Sequence, residues 1–249
     1  MRGISLVSLN VERSKHLDLV EKFLSSRPFD VVCLQELMQK DVDRLSHSLA
    51  DAPCYFVPMG LRPQESAAPM GIGIFSRLRV TATDARYYFG AGDILPESTQ
   101  SDASTYNTLN RLIAIADVEK DDRTYRICTT HFTWTPDGRP SDEQRHDMSA
   151  LLDILGGLDE FVFCGDLNAP RGGEIFEQLA AKYKDNIPPQ YKTSIDLSLH
   201  RAGTTNAEEL STKMVDGLFS TPGYVISDVE LIPGVSDHMA IVATVSKGD

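Results

Sequence analysis

The chain has 249 residues, 24 of them Lys or Arg and 36 Asp or Glu, so its formal net charge is −12. A hydrophobic fraction of 41% at this length supplies a full core and excludes a disordered, collagen-like or disulfide-stapled chain. No stretch reaches the roughly 18 apolar residues that a membrane span needs, and the opening run lacks a signal-peptide pattern, so the expectation is a soluble cytoplasmic protein with no obligate protein partner.

In chain order, residues 4–9 read as a buried strand and 15–25 as a helix, with Leu17, Val20, Phe23 and Leu24 at helical spacing. Pro28 closes that unit, and 30–34 is a continuous apolar run of the kind buried on both faces. A helix over 40–49 follows, then strands at 54–57, 71–75, 111–118 and 125–131. Ser141 with Gln144 forms an N-cap pattern ahead of a helix over 146–155, which Gly156 and Gly157 end. Residues 161–164 read as a strand and 174–183 as a helix, and strands at 213–219, 224–232 and 239–245 complete the chain. The polar stretches 83–108 and 184–212 carry no clear periodicity and read as long functional loops. No repeat or linker interrupts this order, so residues 1–249 are expected to form a single domain. Cys33, Cys54, Cys128 and Cys164 show no metal-type spacing and are expected to be reduced thiols, three of them inside apolar runs.

Several apolar strands run directly into acidic or amide residues: Asn10 after Leu9, Glu36 after Leu34-Gln35, Asp166 and Asn168 after Cys164-Gly165, and Asp237 before the last strand. Singly, each reads as a cap or turn residue. Converging at one sheet edge they would repel one another unless a cation lay between them. Oxygen donors without cysteine suit Mg²⁺ or Mn²⁺ rather than zinc.

Taken together and in order, Leu9-Asn10, Leu34-Gln35-Glu36, Thr130-His131, Gly165-Asp166-Leu167-Asn168, Val215-Asp216 and Ser236-Asp237-His238 resemble the endonuclease/exonuclease/phosphatase superfamily over nearly the whole chain. The resemblance implies an α/β fold, a four-layer sandwich of two mixed sheets packed face to face with helices outside. It implies that Glu36 and Asn10 hold the metal with Asp237, and it places Glu12 near the ion. It further implies that Asp166 orients or deprotonates the attacking water and that Asn168 holds that water or a phosphate oxygen. His238 would donate to the scissile phosphoryl group, with Asp216 fixing its tautomer, and His131 would contact phosphate. General chemistry agrees: metal and imidazolium neutralise charge developing on phosphate oxygens, and a carboxylate can take the water's proton.

Other residues stand at the margin. Trp134 lies just past the catalytic strand and offers a stacking surface, or fills the core. Arg171 is a candidate phosphate clamp or a surface cation, and Arg62, Arg77 and Arg79 a candidate cationic rim. His16, His47 and His146 read as solvated, whereas His200 with Arg201 is a weaker cleft candidate. The expected activity is a metal-dependent phosphodiesterase on single-stranded or terminal nucleic acid. The net charge and the acids Asp84, Asp93, Glu97 and Asp102 in 83–108 disfavour a duplex. The alternatives are hydrolysis of a small or lipid-derived phosphoester, such as an inositol phosphate or sphingomyelin, and a silent binding scaffold, which the intact motif set disfavours.

Overall fold

The computed structural model describes residues 3–64, 66–99 and 102–248. Gln100 and Ser101 of the expected 83–108 loop therefore lie outside the described residues, as do the ends of the expected 1–249 domain.

The elements are β1 (Ile4–Asn10), α1 (Leu17–Leu24), β2 (Val31–Met38), α2 (Val42–Ser48), β3 (Cys54–Arg62), β4 (Ser66–Ser76), β5 (Arg79–Phe89), β6 (Arg111–Lys120), β7 (Arg123–His131) and α3 (Asp142–Gly156). After them come β8 (Val162–Asp166), α4 (Glu174–Ala180), β9 (Lys184–Asp185), α5 (Ala207–Leu210), β10 (Asp216–Ser220), β11 (Tyr224–Ile232) and β12 (Ala240–Lys247). They build two six-stranded mixed sheets, ordered β11-β12-β1-β2-β4-β3 and β5-β6-β7-β8-β10-β9. Among the described strand pairs, β1 with β2 and β7 with β8 are parallel.

Side-chain alternation sorts these strands into layers. Ile4 and Leu6 of β1, Val31 and Cys33 of β2, and Val162 and Cys164 of β8 point into a shared core between the sheets. Val7, Leu9, Val32 and Leu34 point the other way, against Leu17, Val20 and Leu24 of α1. On the opposite flank Phe163 and Cys128 meet Met148, Leu151 and Leu155 of α3. The result is the expected four-layer α/β sandwich. Ser141 caps α3 as its spacing indicates, its hydroxyl accepting from the Gln144 N–H at 3.1 Å.

Three differences from the sequence reading matter. Residues 79–89, of which 83–89 were expected to belong to a loop, form an eleven-residue edge strand. Most of its side chains are exposed, which removes the alternation that would have revealed it. The second strand does not stop at Leu34 but continues to Met38 through a bulge between Leu34 and Leu37, where Leu37 and Met38 resume pairing with Gly71 and Met70. The last two strands of the second sheet are short, β10 beginning at Asp216 rather than 213 and β9 spanning two residues.

Candidate active site

Strand registers gather the motif residues at one end of the sandwich. Asn10 ends β1 opposite Gln35, and His131 ends β7 opposite Asp166. Asp216 starts β10 on the other side of Asp166. His238, just before β12, bridges Ile195, so the irregular 184–212 segment carries one wall of the site. Asn10, Glu12, Glu36, His131, Asp166, Asn168, Asp237 and His238 all line one cleft of about 320 Å³.

The backbone is strained here. Glu12, Arg13, Glu36 and Asn168 hold φ of 44°, 63°, 52° and 48°, a region disfavoured for side chains with a Cβ. At Glu36 the cause is the β2 bulge, which turns its carboxylate into the cleft. Beside Asp166, Gly165 (φ 138°) is obligatory, because a Cβ there would lie 2.1 Å from the Thr130 carbonyl oxygen.

Asp166 is the hub. One carboxylate oxygen accepts from the Asn10 amide at 3.0 Å and faces His131 Nε2 at 3.6 Å and His238 Nε2 at 3.9 Å. Its other oxygen accepts the Asn168 N–H at 2.8 Å, and the Asn168 amide donates to the Phe132 carbonyl at 2.9 Å. Burial pushes the Asp166 carboxyl above its ordinary value, as does Asp216, against the pull of the two histidines. His238 Nδ1 lies 2.7 Å from an Asp216 oxygen. Burial disfavours the His238 cation, but Asp216 and Asp166 outweigh it and hold the ring well above its usual value. For His131 burial wins, bringing it down to about 4, so it is neutral at pH 7. Burial also acts to raise Glu36. It is nonetheless held at about 2, by His131 while that ring is charged and by Arg13, Arg62 and the Asn10 amide throughout.

The donor set fits a divalent cation. Ligand atoms of Glu12, His16 and Asp237 lie within 4.8 Å of one another, as do those of Asp166, Asp216 and His238. Burial together with Glu12 and Glu36 pushes Asp237 up to about 7 despite His238, a crowding of negative charge that a cation relieves. Glu36 stands outside both groups, 3.6 Å from Arg13, and the Asn10 amide nitrogen faces it at 3.4 Å. Holding a cation through Asn10 requires the amide turned over, oxygen inward.

Several marginal readings change. His16 is not solvated: its ring is largely buried and meets Glu12 at 2.9 Å. The signal was present, since Glu12 and His16 are four residues apart. Arg171 is not a clamp in the cleft; it pairs with Asp185 at 2.8 Å, donates to the Ile187 carbonyl and lies over Phe176, tying down the chain after α4. Arg77 and Arg79 lie at the far end of the strands, whereas Arg62, His200 and Arg201 do line the cleft. Trp134 lines it too, edge-on to Tyr106 at 5.0 Å. Arg13, Tyr106, Arg111 and Lys213, which the sequence reading did not single out, complete the wall. Arg111 heads a strand whose next five residues, Leu112 to Ala116, are apolar, which is a local hint of a buried role. The cleft lining mixes the cations Arg13, Arg62, Arg111, Arg201 and Lys213 with the acids Glu12, Glu36, Asp137, Asp166, Glu209 and Asp237, and Asp84 and Arg86 face a separate hollow on the β5–β7 face.

Residues 7–238 match the model of the Endonuclease/Exonuclease/phosphatase family. The chain belongs to this family. Its members are hydrolases acting on phosphoester bonds, and so is this chain. No curated protein sequence matches it. Among solved structures it resembles an endonuclease/exonuclease/phosphatase of Bacteroides vulgatus (16% identity, TM-score 0.72, 100% of each chain covered). It also resembles the D. rerio TDP2 complex with single-strand DNA product (16%, 0.71, 98% of this chain and 99% of that one). The human Nocturnin catalytic domain is similar in fold as well (16%, 0.70, 99% and 94%). Among the described residues no helix is long and apolar enough to cross a membrane.

Proposed function

We propose that this family member is a Mg²⁺- or Mn²⁺-dependent phosphodiesterase acting on single-stranded or terminal nucleic acid. The observation that carries this reading is the Tyr106–Trp134 aromatic pair on the wall of the cleft that holds Asp166 and the Asp216–His238 pair. An aromatic wall takes a splayed base and has no use for a paired one. Arg62 and Arg201 on the same cleft offer cations to a phosphate, whereas Arg13 and Lys213 are paired with Glu36 and Glu209. The fold likeness to TDP2, a structure that holds single-strand DNA product, points the same way.

Glu36, Asn10, Asp237 and Glu12 would hold the cation, with His16 at its edge. When bound, the cation supplies electrophilic stabilisation of the phosphoryl oxygens. Asp166, fixed by the Asn168 N–H, takes a proton from the attacking water, a task its raised affinity for protons suits. The Asn168 side chain holds water or a phosphate oxygen. His238 donates as an imidazolium to a non-bridging oxygen, kept charged by Asp216. His131 contacts phosphate as a neutral donor.

The test is hydrolysis with added Mg²⁺ or Mn²⁺ on matched single-stranded and duplex oligonucleotides, inositol phosphates and aryl phosphodiesters. Faster cleavage of single strands, abolished by excess chelator, is expected. Faster internal cleavage of the duplex, turnover only of a small phosphoester, or activity undiminished by chelator overturns the reading.

A further inference from the structure

Arg62 ends β3 and enters the cleft with only 9% of its surface exposed. Its buried Nε has no hydrogen-bond partner, and among the described residues its side chain forms no ion pair. Its guanidinium carbon lies 5.9 Å from the centre of the Tyr106 ring. Glu36 feels its charge from a distance but is already engaged by Arg13 and Asn10. A guanidinium withdrawn from water without a counter-charge is costly, so this one is poised for an anion that arrives with the substrate.

The surroundings are built to hold that anion in a fixed place. Arg111, fully buried below, donates to the Tyr106 carbonyl at 3.0 Å and to the His131 and Phe132 carbonyls at 3.1 and 3.2 Å. It thereby locks the Tyr106 segment to the end of the catalytic strand. Tyr106 meets Arg62 on one side and the edge of Trp134 on the other.

We propose that Arg62, Tyr106 and Trp134 form a second-phosphate subsite. It takes a phosphate monoester of the same substrate whose scissile diester sits at Asp166 and His238, with a base or sugar against the aromatic wall. The guanidinium fork takes two phosphate oxygens, and the nearly doubly charged terminal phosphate attracts it more strongly than a singly charged backbone diester. This deepens the proposed function and rests on its nucleic-acid reading: the substrate is a phosphorylated end.

Three substrates test it: thymidylyl-thymidine and its 5′- and 3′-phosphorylated forms. At least one phosphorylated form should exceed the parent in kcat/KM by about tenfold or more, mainly through KM. Arg62→Gln should bring that ratio close to one, and Arg62→Lys should restore part of it, with melting temperatures reporting that both variants fold. Absence of a preference in the wild type, or its survival in Arg62→Gln, overturns the subsite. If no dinucleotide is cleaved, the nucleic-acid reading has failed separately. Calorimetric binding of thymidine 3′,5′-bisphosphate and thymidine 5′-monophosphate then decides. Preference for the bisphosphate that is lost in Arg62→Gln supports the subsite, and equal affinities refute it.

Discussion

Replacing Asp216 by Asn keeps the side-chain shape beside His238 but removes the charge. The pair is buried and 2.7 Å apart, so the carboxylate's charge-assisted bond is exchanged for a neutral one. That difference is about 1–2 kcal/mol, roughly 5–30-fold in an equilibrium. The sign follows from the wild-type ring, which Asp216 and Asp166 raise above its ordinary value against burial. Stabilisation of the charged ring is fully present below the ordinary histidine value and is lost as pH rises through the folded one. In Asp216→Asn burial is opposed only by Asp166 and Asp237, so the folded value drops and the ring loses its proton at lower pH. The alkaline limb of the pH–rate profile should therefore shift toward acid. The wild-type to variant rate ratio should be small near pH 5.5 and grow as pH rises toward 8. The assay pairs pH–rate profiles at saturating cation with an NMR titration of the His238 ring in cation-free protein. A ratio independent of pH together with an unshifted ring titration would refute the imidazolium role.

Glu36→Gln should weaken cation binding on the order of 10–100-fold, read by calorimetry, and lower turnover with little change in melting temperature; unchanged affinity would place the ion elsewhere. Gly165→Ala drives a Cβ against the Thr130 carbonyl and should cost about 3 kcal/mol or more in denaturant unfolding. A near-neutral result would mean that the β7–β8 pairing yields easily. Asp121 and Asp122 form the two-residue β6–β7 turn with φ of 51° and 57°. Asp122→Gly suits that turn and should stabilise the protein by up to about 1 kcal/mol, with activity unchanged; a lower melting temperature would contradict this.

The chain's own pattern was enough to place most strands and helices, while the four-layer arrangement followed from the family resemblance. The continuous apolar runs of β1, β2 and β8 and the helical stripe of α1 are local signals of burial. Asn10 and Asp166 stood out because each ends an apolar strand, Glu36 because it follows the apolar run 31–34, and His238 because it just precedes the last strand. The edge strand β5 was not, since a strand with water on most of its side chains carries no hydrophobic alternation. Nor could local pattern separate Arg62, which ends in the cleft, from Arg171, which ends on Asp185, or from Arg77 at the far end of the sheet. It also left His16 among the solvated histidines, although Asp237, more than two hundred residues along the chain, shares its corner. The physical reason is the same in each case. Hydrophobic burial depends on a residue's own periodicity, whereas the partner of a charge is whatever the packed sheets bring near, and only the tertiary structure decides that.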